Sequence, residues 1–600
     1  MQDNVVPPLR QPTTEGNLAQ TVVRNATEIP DAVLFARRDG TDWSPVTAAE
    51  FGREVAAIAK GLIAAGVGVG DRVGLMSRTR YEWTLVDYAI WTAGAVTVPI
   101  YETSSADQVA WILEDSNAVA VVVETAAHAA TVAGLQDRPT GLRDVWQIDG
   151  GALDELVGAG RDLADASLDE RRASTDRSSL ATIIYTSGTT GRPKGCLLTH
   201  GNFKDLAENA YESLAQVVRA EGASTLLFLP LAHVFARFIQ VLCVEGQAKM
   251  GHSSDIKTLL ADFASFHPTF ILAVPRVFEK IYNSAEQKAS AEGKGKIFST
   301  AAATAIAWSE AQDSGQVPFT LRAKHAVFDR LVYAKLRDAM GGQVRYAVSG
   351  GAPLGTRLGH FFRGMGCTVL EGYGLTETTA PATVNTPARV KVGTVGPPLP
   401  GVGIRIADDG EILVQGVNVF AGYHNNDEAS AEAVRDGWFH TGDIGELDED
   451  GFLRITGRKK EILVTAGGKN VAPAVLEDRL RAHPLVSQCV VVGDQRPFIG
   501  ALVTLDEEML PSWAKSNGHD GLSMKNAGTH PAVVAELDQA VADANAAVSK
   551  AESIRKYVVL SEDFTEENGY LTPSLKLKRN LVMRDFADEV EELYSGAKPE

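Results

Sequence analysis

The feature that most limits the fold of this chain is an alternation through its first half, in which short β-rich runs are separated by helical stretches. The runs fall at 72–76, 118–124, 225–229, 269–274 and 344–348. Parallel strands need crossover connections, so the pattern predicts a helix-covered parallel α/β sheet. One helix start is explicit. Thr47 and Glu50 form a capping box, Phe51, Val55, Ile58 and Leu62 repeat at helical spacing, and Gly66 stops the run. From about Val392 the texture changes to Gly- and Pro-rich turns between short strands, as in GVGIRIADDGEILVQG and DEDGFLRITG. That texture predicts a small antiparallel or barrel-like subdomain. After Gly457 the charged run Arg458-Lys459-Lys460-Glu461 meets a mixed segment with strands near 489–492 and 499–505. The expected division is a large N-terminal domain over 1–457, a hinge at 458–461 and a small α+β C-terminal domain over 462–600.

Length and charge agree with such a division. Six hundred residues exceed what one core usually fills. A formal net charge of −19 argues against a general nucleic-acid binder, which needs a basic face. It leaves room for small anionic ligands, because a few N–H groups and one lysine can hold a phosphate. The four cysteines, Cys196, Cys243, Cys367 and Cys489, are scattered and form no C-x-x-C pair, so neither a zinc site nor a disulfide framework is expected. The opening MQDNVVPPLRQPTTEG has no apolar signal core, and the apolar stretch 89–101 is too short to span a bilayer. The expected setting is cytoplasmic.

Residues 185–195 read YTSGTTGRPKG, directly after the apolar 181–184. Glycines and small hydroxylated residues after a strand make a loop whose N–H and O–H groups can surround phosphate oxygens, and Lys194 adds a point charge. The string is not the G-x-x-x-x-G-K-[ST] loop of kinases and GTPases, since Lys194 is followed by Gly195. Taken alone, a Gly/Thr-rich loop is more often a flexible surface turn. This one resembles the signature loop of the adenylate-forming (AMP-binding) superfamily of acyl-CoA synthetases, peptide-synthetase adenylation domains and luciferases. The resemblance covers roughly residues 45–580. It implies that Thr186, Ser187, Gly188, Thr189, Thr190, Gly191 and Lys194 bind ATP, with Thr186 also beside the metal and among the catalytic groups.

The remaining motifs of that family follow in chain order. PLAHVFAR, 230–237, places His233 beside the acyl carboxylate. SGGAPL, 349–354, implies that Gly350, Gly351 and Ala352 border the adenine. EGYGLTET, 371–378, adds Glu371, Gly372, Tyr373, Gly374 and Thr376 to the nucleotide site and makes Glu377 the Mg²⁺ ligand, a cation that prefers carboxylate and phosphate oxygens. HTGDIG and GRKKEILVTAGGKN place Asp443 and Arg458 on the ribose. By the same resemblance Lys460 is the hinge, and Ala466, Gly467 and Gly468 line the coenzyme A tunnel. LTPSLKLKR implies that Lys576 is the catalytic lysine; Leu575 stands where the family often has Gly, and Lys578 lies two residues on.

The implied activity is that of a long-chain fatty acid–CoA ligase. The acid is activated by MgATP to an acyl-adenylate and then passed to the thiol of coenzyme A, while the C-terminal domain rotates between the two half-reactions. PLAHVFAR, VPRVFEKIY and VGTVGPPLPG resemble the long-chain branch most. Arg237 departs from the pattern, standing where some bacterial long-chain enzymes carry an aromatic gate. One rival is a fatty acyl-AMP ligase delivering to a carrier protein, although no carrier domain is evident. Another is a non-catalytic nucleotide or lipid binder; the presence of Glu377 and the C-terminal lysines speaks against it. A dehydrogenase reading fails because GVGVGDRVG is not G-x-G-x-x-G and precedes a strand. The expected partners are fatty acid, ATP and coenzyme A. A transient membrane-surface contact fits an enzyme collecting fatty acid, although no basic amphipathic helix stands out. Monomer and homodimer are both left open.

Overall fold

The structure is a computed structural model that describes all residues except 1, 41, 136–138, 187–191, 256–257, 520, 573–575 and 596–600. The alternation becomes a seven-stranded sheet whose centre is parallel. Strands Arg72–Met76, Val96–Ile100, Ala118–Val123, Asp144–Gln147 and Leu180–Thr186 all run one way, and Lys194–Thr199 and Gly422–Tyr423 close one edge antiparallel. The central strands are apolar on both faces because helices cover both. The apolar stretch 89–101 is divided between the end of the helix Tyr81–Thr92 and the strand Val96–Ile100 at the sheet centre. Among the described residues no helix is long and apolar enough to cross a membrane.

Helix starts follow local chemistry. In the helix Ala48–Ala64 the Thr47 hydroxyl accepts from Glu50 N–H while the Glu50 carboxylate accepts from Thr47 N–H, as the sequence predicted. Ser105 with Gln108 and Thr199 with Asn202 repeat the device. Two four-stranded sheets complete the α/β part: Ser224–Leu227, Lys249–His252, Val33–Asp39 and Asp42–Thr47, and Phe270–Ala273, Tyr346–Ser349, Thr368–Leu375 and Ala380–Val384. The Gly- and Pro-rich region forms the expected antiparallel unit. Its sheet is built on Val402–Ile406, Glu411–Gly416, Trp438–Leu447 and Leu453–Arg458, with the N-terminal strand Gln2–Val5 along one edge.

Beyond Arg458 the chain forms a smaller α+β body. A sheet of Val486–Val492, Ile499–Leu505 and Ile554–Val559 packs against the helices Pro473–Arg481 and Pro531–Asn545 around Leu476, Leu480, Val491, Val503 and Leu537. None of these residues joins the main core, which runs from Leu18 to Leu453. The two bodies meet through polar contacts. Arg276 donates to the carbonyl and hydroxyl oxygens of Ser487, both at 3.0 Å, and Lys280 pairs with Glu508 at 2.8 Å. Polar interfaces of this kind suit bodies that move relative to one another.

Candidate active site

One cavity of about 1100 Å³ lies between the two bodies, lined by residues from Tyr101 to Leu581. Most of the residues expected at the site converge on it: Thr186, Lys194, His233, Gly350, Gly351, Gly372, Tyr373, Gly374, Thr376, Glu377, Asp443, Arg458, Lys460 and Lys576. Ser187, Gly188, Thr189, Thr190 and Gly191 lie outside the described residues. Their flanks show what the segment connects: Thr186 faces Lys194 across the last register pair of the antiparallel strands Leu180–Thr186 and Lys194–Thr199.

The groups expected at the phosphates are held by their neighbours. Glu377 stands on a single 3₁₀ turn, and its carboxylate accepts a hydrogen bond from Tyr423 O–H at 2.8 Å. The Lys194 ammonium lies 5.0 Å from the Tyr423 ring centre, a cation–π distance. Beside this turn Thr379 and Ala380 adopt φ of 53° and 77°, conformations non-glycine residues seldom take. The opposing residue must be Gly374, because a Cβ there would sit 1.6 Å from the Ala380 carbonyl oxygen. Asp443 is 4% exposed and accepts from Tyr373 O–H at 2.6 Å and from Arg458 Nε at 3.1 Å. Strand register produces that pair, since Asp443 and Arg458 face each other between Trp438–Leu447 and Leu453–Arg458.

His233 caps the helix Val234–Gly246, its Nδ1 accepting from Phe235 N–H at 3.2 Å. Burial, with Lys576 adding to it, pulls the imidazole down to about 3. The ring is therefore neutral, its proton is on Nε2, and it can donate there. Down the same helix Phe235, Phe238, Ile239 and Leu242 line the cavity, facing Leu214, Val217 and Val218. From His233 to Leu242 the helix rises about 13 Å. Gly350 lies close beside this helix: a Cβ there would stand 3.1 Å from the Phe235 ring, which would have to shift by a few tenths of an ångström.

Lys576 enters from the smaller body, with its Cε 4.0 Å from where a Cβ of Gly351 would lie. Burial and then Arg458 lower its pKa, while Asp443 and Glu377 oppose that shift. It makes no ion pair within 4.0 Å among the described residues. Lys578 also borders the cavity but is exposed.

Two residues expected at the nucleotide, Glu371 and Ala352, do not line the cavity. The Glu371 carboxylate accepts from Leu354 N–H at 3.2 Å, and burial raises it to about 7, so it braces the Gly350–Gly351 turn. Ala352 is exposed. Arg237 cannot gate anything. It is wholly buried on the far side of its helix, bound to Asp87 through Nε at 3.0 Å and through Nη2. Ala466, Gly467 and Gly468, expected at the coenzyme A tunnel once the smaller body has rotated, are outside the cavity lining in this arrangement, on the exposed turn between Leu463–Val464 and Asn470–Val471. Tyr423 was missed altogether; a tyrosine after glycine at a sheet edge carries no local signal of a role.

Comparison with known proteins agrees with this arrangement. The AMP-binding enzyme family model matches residues 22–424, and that of the AMP-binding enzyme C-terminal domain matches 460–598. The long-chain-fatty-acid–CoA ligase FadD15 of Mycobacterium bovis is 54% identical over 96% of this chain and 97% of its own length. The peroxisomal long chain acyl-CoA synthetase 7 of Arabidopsis thaliana is 33% identical over 93% of this chain and 83% of its own. Among solved structures, the anthranilate CoA ligase AuaEII in complex with anthranoyl-AMP superposes with a TM-score of 0.75. It is 19% identical and covers 97% of this chain and 99% of that one, so it speaks to the fold alone. The chain belongs to the AMP-binding enzymes, in the branch of the long-chain fatty acid–CoA ligases.

Proposed function

We propose that this protein joins long-chain fatty acids to coenzyme A through an acyl-adenylate formed in the interdomain cavity. One observation carries the reading. A single helix presents neutral His233 at its cap and an apolar wall from Phe235 to Leu242 behind it, opposite the polar groups at Lys194, Glu377 and Lys576. A carboxylate donated to by His233 Nε2 would project its alkyl chain along that wall, where each buried CH₂ contributes about 0.8 kcal/mol.

In the first half-reaction a carboxylate oxygen attacks the α-phosphorus of ATP, the bond to the β-phosphate oxygen breaks, and pyrophosphate leaves. Two anions must meet, so fixed positive charge has to offset their repulsion and that of the transition state. Lys576, unpaired and half-buried, is the group we assign to the reacting phosphate, with Lys194, Thr186 and Thr376 as further contacts. Asp443 would accept from the ribose hydroxyls, steadied by Tyr373 and Arg458, while Gly350, Gly351, Gly372 and Gly374 let backbone approach the adenine closely. The donors present fit Mg²⁺. Glu377 offers a carboxylate and Thr186 a hydroxyl, and no cluster of three His, Cys, Asp or Glu exists among the described residues, which suits an ion that keeps phosphate oxygens and waters as ligands. When bound, that ion would neutralise phosphate charge.

In the second half-reaction the thiol sulfur attacks the acyl carbonyl and AMP leaves. The exposed Ala466–Gly468 turn is outside the cavity lining here, which supports a rotation about Lys460, near the 458–461 boundary of the two bodies, that withdraws Lys576 and brings the turn in. An acid of low solubility would be collected by transient contact with a membrane surface.

The test is product analysis of purified protein with MgATP and C8–C20 acids, with and without coenzyme A. Acyl-CoA and AMP, highest for the longer acids, are expected. Acyl-AMP that accumulates and ignores coenzyme A would overturn the reading in favour of delivery to a carrier.

A further inference from the structure

The largest departure from the usual burial of apolar side chains lies far along the chain from any motif. Phe319 is 83% exposed, more than any other large apolar side chain described, and Val327 and Leu331 are over half exposed. All three stand on one uninterrupted helical run, Phe319–Phe328 continuing through a π turn at Asp329–Tyr333 into Ala334–Ala339. The Phe319–Phe328 helix buries none of its residues. Its inward side is nevertheless fixed. The His325 ring stacks on Trp308 at 4.2 Å and bonds to the Gly364 carbonyl at 2.6 Å, and Tyr333 O–H donates to the Ala301 carbonyl at 2.6 Å.

With the inward side pinned, Phe319, Ala323, Val327 and Leu331 recur every four residues on the outward face. The wider π turn offsets the drift of that four-residue step, keeping Leu331 in line. Arg322, Lys324, Arg330 and Lys335 flank this stripe, all exposed, and the first three make no ion pair among the described residues. Asp329 is the one acid within 319–337, and it pairs with Arg337 at 2.8 Å. In a chain of net charge −19 this is a local reversal of sign.

We propose that the outward face of 319–335 docks on an anionic phospholipid surface, with Phe319, Val327 and Leu331 entering the headgroup boundary and the four cations meeting lipid phosphates. Exposed apolar side chains beside exposed cations match the two layers of such a surface, the acyl boundary and the lipid phosphates. A second copy of this chain would set the same cations against one another across a two-fold axis. A single short helix also falls well below the roughly 800 Å² per partner of a stable protein interface. The proposal deepens the membrane-contact reading above and does not depend on which acid is used.

The experiment is flotation of the full chain with vesicles of phosphatidylcholine alone or with 30% phosphatidylglycerol. The wild type is expected to partition at least tenfold more into the anionic vesicles, and less in high salt. Two triple variants are compared, Phe319→Ser with Val327→Ser and Leu331→Ser, and Arg322→Gln with Lys324→Gln and Arg330→Gln. Each basic residue near an anionic surface strengthens binding about fivefold, so the charge variant should lose roughly a hundredfold. None of these residues lines the cavity. Acyl-CoA formation from a dispersed short acid should therefore be unchanged, which separates failure of this proposal from failure of the catalytic reading. If a triple variant loses that activity, Phe319→Ser alone decides. Flotation equal to wild type, no preference for anionic vesicles, or a change of oligomeric state in the variants without a change in flotation would each overturn the proposal.

Discussion

Lys576 and Lys578 are two residues apart in the chain, and their surroundings separate them. Lys576 is half-buried against Gly351 and shares the field of Arg458, Asp443 and Glu377, whereas Lys578 is exposed and begins the helix Arg579–Asp585. Removing a donor aimed at the reacting phosphate costs roughly 10²–10³ in rate. Lys576→Ala should lose that much in single-turnover pyrophosphate release yet still turn supplied acyl-AMP into acyl-CoA, and Lys578→Ala should change little. The reverse ranking would move the assignment. Buried histidines carry a second residue-scale expectation. Burial lowers His200 to about 3 and His252 to about 4, so the folded chain binds fewer protons there than the unfolded chain does. Stability from this source is full above about pH 6.5 and declines as pH falls towards those folded values. At pH 5 the loss is on the order of 2 kcal/mol for each histidine. Denaturant midpoints at pH 5 and 7 measure it, and His200→Gln should flatten the acid limb.

The Val234–Gly246 helix works on two sides. Towards the cavity it is apolar from Phe235 to Leu242; on its other side Arg237 and Gln240 hold Asp87 inside a core containing Trp83 and Trp91. A buried pair is weak evidence of stability, but removing one partner strands a charge. Arg237→Ala should therefore destabilise the protein by about 3–5 kcal/mol in equilibrium unfolding, with Asp87→Asn in the same background recovering part of the loss. On the cavity side, Leu242→Trp should shorten the apolar wall. The expected result is a fall in kcat/KM for C16 relative to C8 of at least tenfold; an unchanged ratio would place the acyl chain elsewhere.

At the scale of the molecule, the two bodies touch through Arg276–Ser487 and Lys280–Glu508 rather than through shared core. Such an interface can open without exposing much apolar surface, so rotation costs little. Joining Lys280 covalently to Glu508 would hold the present arrangement, with Lys576 in the cavity and the Gly467–Gly468 turn outside it. Adenylation measured by pyrophosphate release should survive, and transfer from supplied acyl-AMP to coenzyme A should fall sharply. Equal loss of both half-reactions would remove the rotation from the mechanism.

Much of this molecule was legible before folding because the deciding forces are local. Capping at Thr47 and Glu50, the buried strand runs and the turn-rich barrel segment each follow from neighbouring residues. The motifs that carry Lys194, His233, Glu377, Asp443 and Lys576 are contiguous strings. Side-chain direction and partners were not legible. Glu371 sits inside a nucleotide motif yet its carboxylate is taken up by Leu354 N–H, and Arg237 ends the motif that carries His233 yet lies in the core. Tyr423 became the partner of Glu377 only when Gly422–Tyr423 paired with the strand Lys194–Thr199. The chain alone thus determined which chemistry it carries and the order of its elements. Tertiary structure decided which groups face one another, because burial and hydrogen-bond satisfaction act between residues hundreds of positions apart.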